Sequence, residues 1–275
     1  VQAQIDAWAA ELAQGQCPAP VREQLYRILF KPDKNAPEYK AVVEASRATQ
    51  TAPLALLQRC GAIESAYQFH WKRFLFEHFP RGTGFMALHA PDIAADTLPR
   101  AEVQAYSIDD SQTTEIDDAL SLQGLGSGQV TLGIHIAAPG LALQPGDALD
   151  QVARQRLSTV YMPGHKITML PDAVVQRYTL QAGRDCPALS LYLQIDETSL
   201  EITTAQTRLE RVPIAANLRH DEIDGMVTEE WLNDAQAPAP DHPELASLAD
   251  WLRFMHRLAR HLKAQREVVR GKPET

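Results

Sequence analysis

The sequence predicts an α+β chain in two parts: a helical amino-terminal module over residues 1–80 and a mixed α+β domain over residues 105–275, joined by a linker at 81–104. Before the linker, apolar residues recur every three or four positions, as in amphipathic helices, whereas short apolar runs broken by turn residues follow it, as in strands. With 45% hydrophobic and 22% charged residues among 275, the composition is that of a globular protein rather than a disordered chain.

The amino-terminal module is expected to hold several helices joined by tight turns. The first places Ile5 and Leu12 on one face, and two later helices open at Pro37 and Pro53, where a missing amide hydrogen costs little. Short helices in this arrangement are typical of a helix-turn-helix module. A further helix at 65–79 mixes aromatic and basic residues. This pattern fits a nucleic-acid surface or, as we favour, rings packed beneath a solvated cationic face.

The second part is expected to combine strands with helices. The strand-like segments read AYSI, ALSL, VTLGIHIAAP, SLYLQI and ITTAQTRLERV, and helical spacing recurs at 147–160 and 243–270. The last helix carries a row of arginine and lysine residues that could contact phosphates, but the solvent-facing side of an amphipathic helix is the simpler interpretation. His135 lies in an apolar strand and is expected to be a buried core histidine.

The composition and the apolar runs of the sequence limit which cellular compartment and which binding partners are expected. No apolar run approaches the roughly eighteen residues of a membrane helix, and the first residues resemble an amphipathic helix rather than a signal peptide, so we expect a cytoplasmic protein without a membrane partner. Three widely spaced cysteines argue against a disulfide framework or a zinc site. The net charge of −9 does not indicate a nucleic-acid partner. It does not forbid one, because an acidic cluster lowers the total while a local basic strip can bind.

The most informative stretch is SIDDSQTTEIDDAL, which begins at Ser107. It places five carboxylates within ten residues, between two strand-like segments: Asp109, Asp110, Glu115, Asp117 and Asp118. Carboxylates this close repel one another, so several remain ionised near a core only beside a cation, and oxygen ligands suit Mg²⁺ or Mn²⁺. The stretch therefore predicts a divalent metal site of the kind that supports phosphoryl or phosphodiester hydrolysis.

Two other structures compete with the metal site as interpretations of this stretch. An EF-hand calcium loop counted from Asp109 would place Thr114 where a glycine is required and Leu120 where a bidentate glutamate belongs, which excludes it. A polar hairpin turn carrying a few solvated acids stays open on spacing alone.

Four segments in order carry a resemblance to a known family. IDDSQTTEIDDAL resembles the signature I-D-x-x-x-T-x-D-I-D-D-A of the ribonuclease II family, and GIHIAAP, YMPGHKITMLP and CPALSLYLQID resemble segments that follow it in the RNB domain of that family. The helical first part resembles the amino-terminal region of shorter bacterial relatives. Because RNB domains of the family run further than this sequence, the resemblance implies that 105–275 is the first portion of an RNB catalytic domain.

The resemblance implies a Mg²⁺-dependent exoribonuclease that hydrolyses single-stranded RNA from the 3′ end to 5′-mononucleotides. Asp109, Asp117 and Asp118 match the family's metal-binding positions, and Asp117 also matches a position that holds a second ion or the attacking water. Glu115 takes the remaining acidic, catalytic position, which is usually Asp; its longer side chain suggests a supporting role. Family residues that stabilise the scissile phosphate lie further downstream, so the 275 residues alone are expected to be impaired or inactive.

Two more positions are expected to bind the RNA. Tyr161 matches a tyrosine that packs on the last nucleotide at the 3′ end, and stacking on a base tolerates any sequence. His220, in NLRHDEI, falls where the family often has a tyrosine that contacts the ribose. Its imidazole could hydrogen-bond the 2′-hydroxyl or cap the helix beside it. Two alternatives to the exoribonuclease stay open: a non-catalytic RNA-binding module, and a different Mg²⁺ phosphohydrolase acting on small phosphate esters.

Overall fold

The structure, a computed structural model, describes residues 1–86 and 97–274. The chain forms two compact units, residues 1–86 and 87–275. The first unit is helical and the second combines a β-barrel with helices, which confirms the predicted α+β class. In the described part of the chain, no helix is long and apolar enough to cross a membrane.

The first unit is built from short helices around one apolar core. These are α1 (Gln2–Ala13), α2 (Ala19–Glu23), α3 (Leu25–Phe30), α4 (Pro37–Thr49), α5 (Pro53–Arg59) and α6 (Ala66–His78). Pro37 and Pro53 each take the first position of a helix, as predicted. Ile5 and Leu12 of α1 are buried in the core together with Leu57 of α5.

Helix α6 is the predicted helix of aromatic and basic residues. The ring of Phe69 stacks on Tyr26 with 5.9 Å between ring centroids, and the guanidinium of Arg73 lies 4.3 Å from the ring centroid of Phe30. None of the α6 residues is fully buried. The rings therefore pack against α3 while the cations remain at the surface, which supports the packing interpretation.

The second unit contains a closed five-stranded barrel and a small hairpin. The strands are β1 (Ala105–Asp109), β2 (Asp118–Gln123), β3 (Gln129–Ala137), β4 (Val160–Met162), β5 (His165–Ile167), β6 (Asp185–Asp196) and β7 (Ile202–Arg219). The barrel order is β1-β2-β3-β6-β7, and the parallel pairing of β1 with β7 closes it. Strands β4 and β5 form the separate hairpin.

The helices of this unit follow the strands in the chain. They are α7 (Ala148–Arg156), α8 (Asp172–Tyr178), α9 (His220–Ile223), α10 (Glu229–Asn233), α11 (Pro243–Ser247) and α12 (Ala249–Arg270). The segment predicted as one helix at 243–270 is thus two helices. Phe254 and Leu258 of α12 pack on Val130, Leu132 and Ile195 of the barrel, so α12 covers part of its outer face.

The cationic side chains of α12 make contacts within the protein. Arg257 donates to the carbonyl oxygen of Glu197 at 2.7 Å, and Arg266 Nε donates to the Glu274 carboxylate at 2.7 Å. Arg260 lies 3.5 Å from Glu229. These contacts support the interpretation of the row as the solvent-facing side of an amphipathic helix.

The residues just before β1 belong to the barrel unit. The amide of Ala101 donates to the carbonyl of Arg211 at 2.8 Å, and Ala101 and Val103 are buried in the core. This part of the predicted 81–104 linker is therefore packed against β7, while residues 87–96 of that linker lie outside the described residues.

The barrel interior holds a polar group of three residues around His135. His135 is fully buried, as predicted, and its Nε2 and Nδ1 atoms lie 2.8 Å from Ser121 Oγ and 2.7 Å from Ser190 Oγ. Gly133 lies opposite Ser121 on β3, and a methyl group there would lie 2.6 Å from His135 Nε2. The glycine therefore makes the room in which the histidine and the serine meet.

Candidate active site

The ends of β1 and β2 bring the predicted acids together. Asp109 is the last residue of β1 and Asp118 is the first of β2. The two strands pair antiparallel, so the carboxyl end of one lies beside the amino end of the other. The connection between them, residues 110–117, carries the remaining acids of the cluster.

The first half of this connection is held by Arg219, the last residue of β7. Arg219 is the strand partner of Asp109, and its Nη1 donates to the carbonyl oxygens of Asp110 at 2.8 Å and Thr113 at 3.0 Å. The amide of Thr113 also donates to the carbonyl of Asp110 at 3.0 Å. Arg219 therefore fixes the turn that returns the chain from β1 towards β2.

The second half of the connection is fixed by burial of Ile116. Its amide donates to Thr179 Oγ1 at 2.8 Å, and its side chain lies in the barrel core. Side chains alternate in direction along an extended segment, so Glu115 and Asp117 are directed away from that core. Both line a neighbouring cavity of about 450 Å³.

That cavity is acidic at one side and mainly apolar elsewhere. Apart from Glu115 and Asp117, its lining comprises Ala137, Pro139, Leu157, Ser158, Thr159, Tyr161, Met169, Leu170, Val175, Tyr178 and Thr179. Apolar walls with a few polar groups on one side are typical of sites that take part of an organic molecule and orient it.

Tyr161 stands on the β4–β5 hairpin at this cavity. Its side chain is 68% exposed, and its strand partner is Lys166. Burial of part of the residue raises the pKa of the Tyr161 hydroxyl, and the nearby Glu115 and Asp117 carboxylates raise it further. The structure therefore places an accessible aromatic ring within electrostatic range of two predicted acids.

The Asp109 carboxylate is partly buried and has neighbouring charges of both signs. Burial raises the pKa of Asp109, a hydrogen bond from Ser107 opposes that rise, and the Asp118 carboxylate adds to it. Ser107 is itself held by Asn217, whose Nδ2 donates to Ser107 Oγ at 2.8 Å. Asp109 Oδ2 is buried and has no hydrogen-bond partner. The side chain is therefore fixed through one oxygen and leaves the other open.

Asp117 and Glu115 form the other half of the acidic cluster. Burial raises the pKa of Asp117, and Glu115, Asp118 and Asp109 raise it further, whereas Lys166 lowers it. Glu115 Oε1 is buried and lies 3.1 Å from Lys166 Nζ, although the two atoms are not in hydrogen-bond geometry. The predicted acids thus act electrostatically as one group.

The donor chemistry of this group suits a hard divalent cation, because all its ligand atoms would be carboxylate oxygens. A buried carboxylate oxygen without a donor, as in Asp109, is a further feature of a cation site. Yet within residues 1–86 and 97–274 no three His, Cys, Asp or Glu side chains lie close enough to hold one metal ion. The carboxylates are neighbours, but their side chains do not converge on one point.

His220 begins α9 immediately after Arg219. Its Nδ1 lies 3.3 Å from Asp224 Oδ1, one turn further along the chain, so the ring contacts the helix beside it. The histidine also lowers the pKa of Asp109. His220 therefore lies near the acidic cluster and, of the two roles expected for it, has the local helix contact in this structure.

Three residues of the site were not singled out from the sequence. Lys166 contacts Glu115, Arg219 fixes the acid-bearing loop, and Asn217 supports Ser107. Lys166 lies inside YMPGHKITMLP, and Asn217 and Arg219 both lie inside NLRHDEI, the segments that also contain Tyr161 and His220. Only long-range contacts distinguish them from ordinary surface and strand residues.

A profile of the RNB domain matches residues 100–272. An uncharacterized ribonuclease from Synechocystis sp. is 38% identical over 108 residues, which cover 39% of this chain and 16% of that protein. Exoribonuclease 2 from Serratia proteamaculans is 30% identical over 165 residues, covering 58% of this chain and 24% of the relative. This chain therefore spans no more than about a quarter of the length of either relative.

Solved structures share the fold at low sequence identity. The Dss1 exoribonuclease active-site mutant from Candida glabrata superposes with a TM-score of 0.69 at 17% identity, covering 94% of this chain and 37% of that one. Mycoplasma genitalium RNase R in complex with double-stranded RNA gives 0.57 at 15%, covering 72% and 36%. Yeast Ssd1, described as a pseudonuclease, gives 0.53 at 19%, covering 70% and 22%. At these identities the likeness shows the fold alone.

Proposed function

Since the chain belongs to the RNB-domain family, we propose that it carries the acidic centre of a Mg²⁺-dependent exoribonuclease. The enzyme would hydrolyse single-stranded RNA from the 3′ end and release 5′-mononucleotides, and we place its action in the cytoplasm. The observation that carries the proposal is the juxtaposition of Glu115, Asp117 and the exposed ring of Tyr161 around one cavity.

Asp109, Asp117 and Asp118 would hold the metal. When bound, Mg²⁺ supplies positive charge at the reacting phosphate and offsets the mutual repulsion of the carboxylates. Because the side chains do not converge in this structure, binding requires that they rotate towards a common point. The hydrogen bond from Ser107 leaves Asp109 Oδ2 for this purpose.

The remaining residues would position the RNA and a water molecule. Tyr161 stacks on the 3′-terminal base, a contact that every base can make. Asp117 accepts a hydrogen bond from the attacking water. Glu115 lies two residues earlier, on the same side of the extended segment, and helps to position that water. His220 would reach the ribose by exchanging its contact with Asp224 for one with the 2′-hydroxyl.

A non-catalytic RNA-binding module is the second candidate. Two observations favour it: a structure of the same fold is described as a pseudonuclease, and in the described residues no three acidic or other metal-binding side chains converge. A module of this kind would bind single-stranded RNA without shortening it.

The test is gel analysis of a 5′-labelled single-stranded oligoribonucleotide with this chain and with any longer native form, in Mg²⁺ and in chelator. From the active form we expect a ladder of shortened RNA that requires both the metal and Asp117, so Asp117→Asn should slow the shortening by about a hundredfold or more. Asp241→Asn removes a carboxylate from an exposed loop by the same chemical change and serves as the matched control. RNA that is bound but not shortened even by the longer form would establish the binding module instead. Turnover of a chromogenic phosphate ester without RNA shortening would indicate a small-molecule phosphohydrolase.

A further inference from the structure

Lys166 lies at the acidic cluster but has no part in the chemistry proposed above. Its Nζ lies 2.7 Å from Thr114 Oγ1 and 3.1 Å from Glu115 Oε1. The Lys166 side chain is 35% exposed, compared with 12% for Glu115. The ammonium therefore lies between the largely buried Glu115 side chain and the solvent.

The two cations at the cluster are engaged in different ways. Arg219 Nη1 donates to two backbone carbonyls, which makes it part of the loop structure. Among the described residues, the Lys166 ammonium makes one hydrogen bond, to Thr114 Oγ1, while its contact with Glu115 lacks hydrogen-bond geometry. An ammonium has three N–H donors, so Lys166 can keep the bond to Thr114 and still donate to a new anionic partner.

The position of Lys166 beside Tyr161 defines what that partner would be. The two residues are strand partners on the β4–β5 hairpin, and partner side chains in such a pair are close neighbours on one face. Within one nucleotide, the base and the phosphate are likewise only a few ångströms apart. A base on the Tyr161 ring would therefore bring a backbone phosphate within reach of the ammonium.

An RNA phosphate also needs a positive charge at this place. A phosphodiester approaching Glu115 and Asp117 meets two carboxylates of its own sign, and Lys166 is the cation that opposes their effect on Asp117. The ammonium can donate to a phosphate oxygen while it stays beside Glu115, so the Glu115 carboxylate need not lose its cation when the phosphate binds.

We propose that Lys166 is a substrate-binding residue whose ammonium contacts a backbone phosphate at the 3′ end of the RNA. In the free protein, Thr114 and Glu115 hold the ammonium beside the acids that line the cavity. This inference rests on the proposed RNA substrate and adds to it a phosphate contact from the same hairpin that carries the base-stacking residue.

The test is RNA binding in chelator, measured by fluorescence anisotropy over a range of salt concentrations. Removing the metal isolates contacts made by the protein itself. Lys166→Gln should weaken binding about three- to tenfold and lower the salt slope by about 0.7, the value for one lost contact to single-stranded nucleic acid. Lys166→Arg should retain most of the affinity. Lys272→Gln, which removes an exposed lysine beyond α12, is the matched control and should leave both quantities unchanged.

Glu115→Gln separates a phosphate contact from a purely structural tie between the hairpin and the acidic loop. If Lys166 binds phosphate, losing its carboxylate partner should leave RNA affinity unchanged or raise it. A structural tie would make Glu115→Gln weaken binding as much as Lys166→Gln does. That result, or normal binding by Lys166→Gln, overturns the assignment while the wild-type chain still binds RNA. Absence of RNA binding by the wild type would instead overturn the proposed function itself.

Discussion

Two polar clusters in the barrel unit differ in how their hydrogen bonds are completed. In the barrel interior, both ring nitrogens of His135 are paired with serine hydroxyls. In the acidic cluster, Asp109 and Glu115 each have a buried carboxylate oxygen without a hydrogen-bond partner, although that of Glu115 lies 3.1 Å from the Lys166 ammonium. A completed network supports the fold, whereas an incomplete one costs stability and keeps its capacity for a ligand. Completion of hydrogen bonds is therefore the difference between these two polar clusters.

Glu210 strengthens this comparison, because it is a buried carboxylate outside the site. It is 3% exposed, and the Tyr192 hydroxyl donates to it at 2.8 Å. Burial and the bond to Glu210 together raise the pKa of Tyr192, so the phenol stays protonated as a donor. A buried acid with its own donor thus behaves like His135, as part of the core.

The largest expected effect comes from Asp117→Asn, which should separate activity from stability. Loss of this carboxylate should lower the rate of RNA shortening by about a hundredfold or more, corresponding to about 3 kcal/mol of transition-state stabilisation. Because it also removes one of the mutually repelling charges, the thermal unfolding midpoint in chelator should stay the same or rise. A fall in the midpoint as large as that of a core variant would contradict the comparison.

His135 should make stability depend on pH in the same sense as a salt-bridged acid, but over a higher pH range. Burial lowers its pKa from 6.5 to about 4. Between pH 6.5 and pH 4, the histidine is therefore protonated in the unfolded chain and neutral in the folded one. Stability that is present at neutral pH should therefore fall as the pH drops from 6.5 towards 4, by up to about 3 kcal/mol.

Denaturant unfolding at pH 7 and pH 4.5 measures this contribution. His135→Gln should be less stable at pH 7, because the serine hydroxyls lose a partner, and should show a smaller decrease between the two pH values. An equal decrease in the variant and the wild type would assign the pH dependence to other groups.

Gly133→Ala should disturb the completed cluster without adding a charge. The added methyl would contact Ser121 Oγ and lie 2.6 Å from His135 Nε2, so side chains in the barrel interior must shift. We expect a loss of about 1–3 kcal/mol in the free energy of unfolding, as for other overpacked cores. Gly225→Ala is the control, since its Cβ would meet no atom within 4 Å. Equal free energies of unfolding for the two variants would show that the space around Gly133 accommodates a methyl group without strain.

The smallest effect is expected from Ser107→Ala, which removes a hydrogen bond from the acidic cluster. Ser107 donates to Asp109 and is held by Asn217, so its loss should raise the Asp109 pKa further and release that side chain. About 1 kcal/mol of lost hydrogen bonding corresponds to roughly a fivefold higher Mg²⁺ concentration for half-maximal RNA shortening. Ser247→Ala, which also removes one hydroxyl hydrogen bond, should leave that concentration unchanged.

Much of the fold could be predicted because its signals are local. Helical spacing around Ile5, the proline at position 37 and the alternation in β7 depend on neighbours within a few residues. The closure of the barrel could not be predicted, because the parallel pairing of β1 with β7 joins segments about a hundred residues apart. The break at Leu248 between α11 and α12 was also missed, since the apolar spacing continues across it.

The sequence by itself determined the two-part α+β organisation and the acids that could act together, because those acids lie within ten residues of one another. Only the tertiary structure decided which carboxylate oxygens lack a hydrogen-bond donor and which distant residues contact the acidic cluster. Lys166 and Thr114 are 52 residues apart in the chain, yet their contact links the Tyr161 hairpin to the acidic loop. The reason is physical: periodicity reflects local geometry, whereas the completion of a buried hydrogen bond depends on whichever distant segment the fold brings beside it.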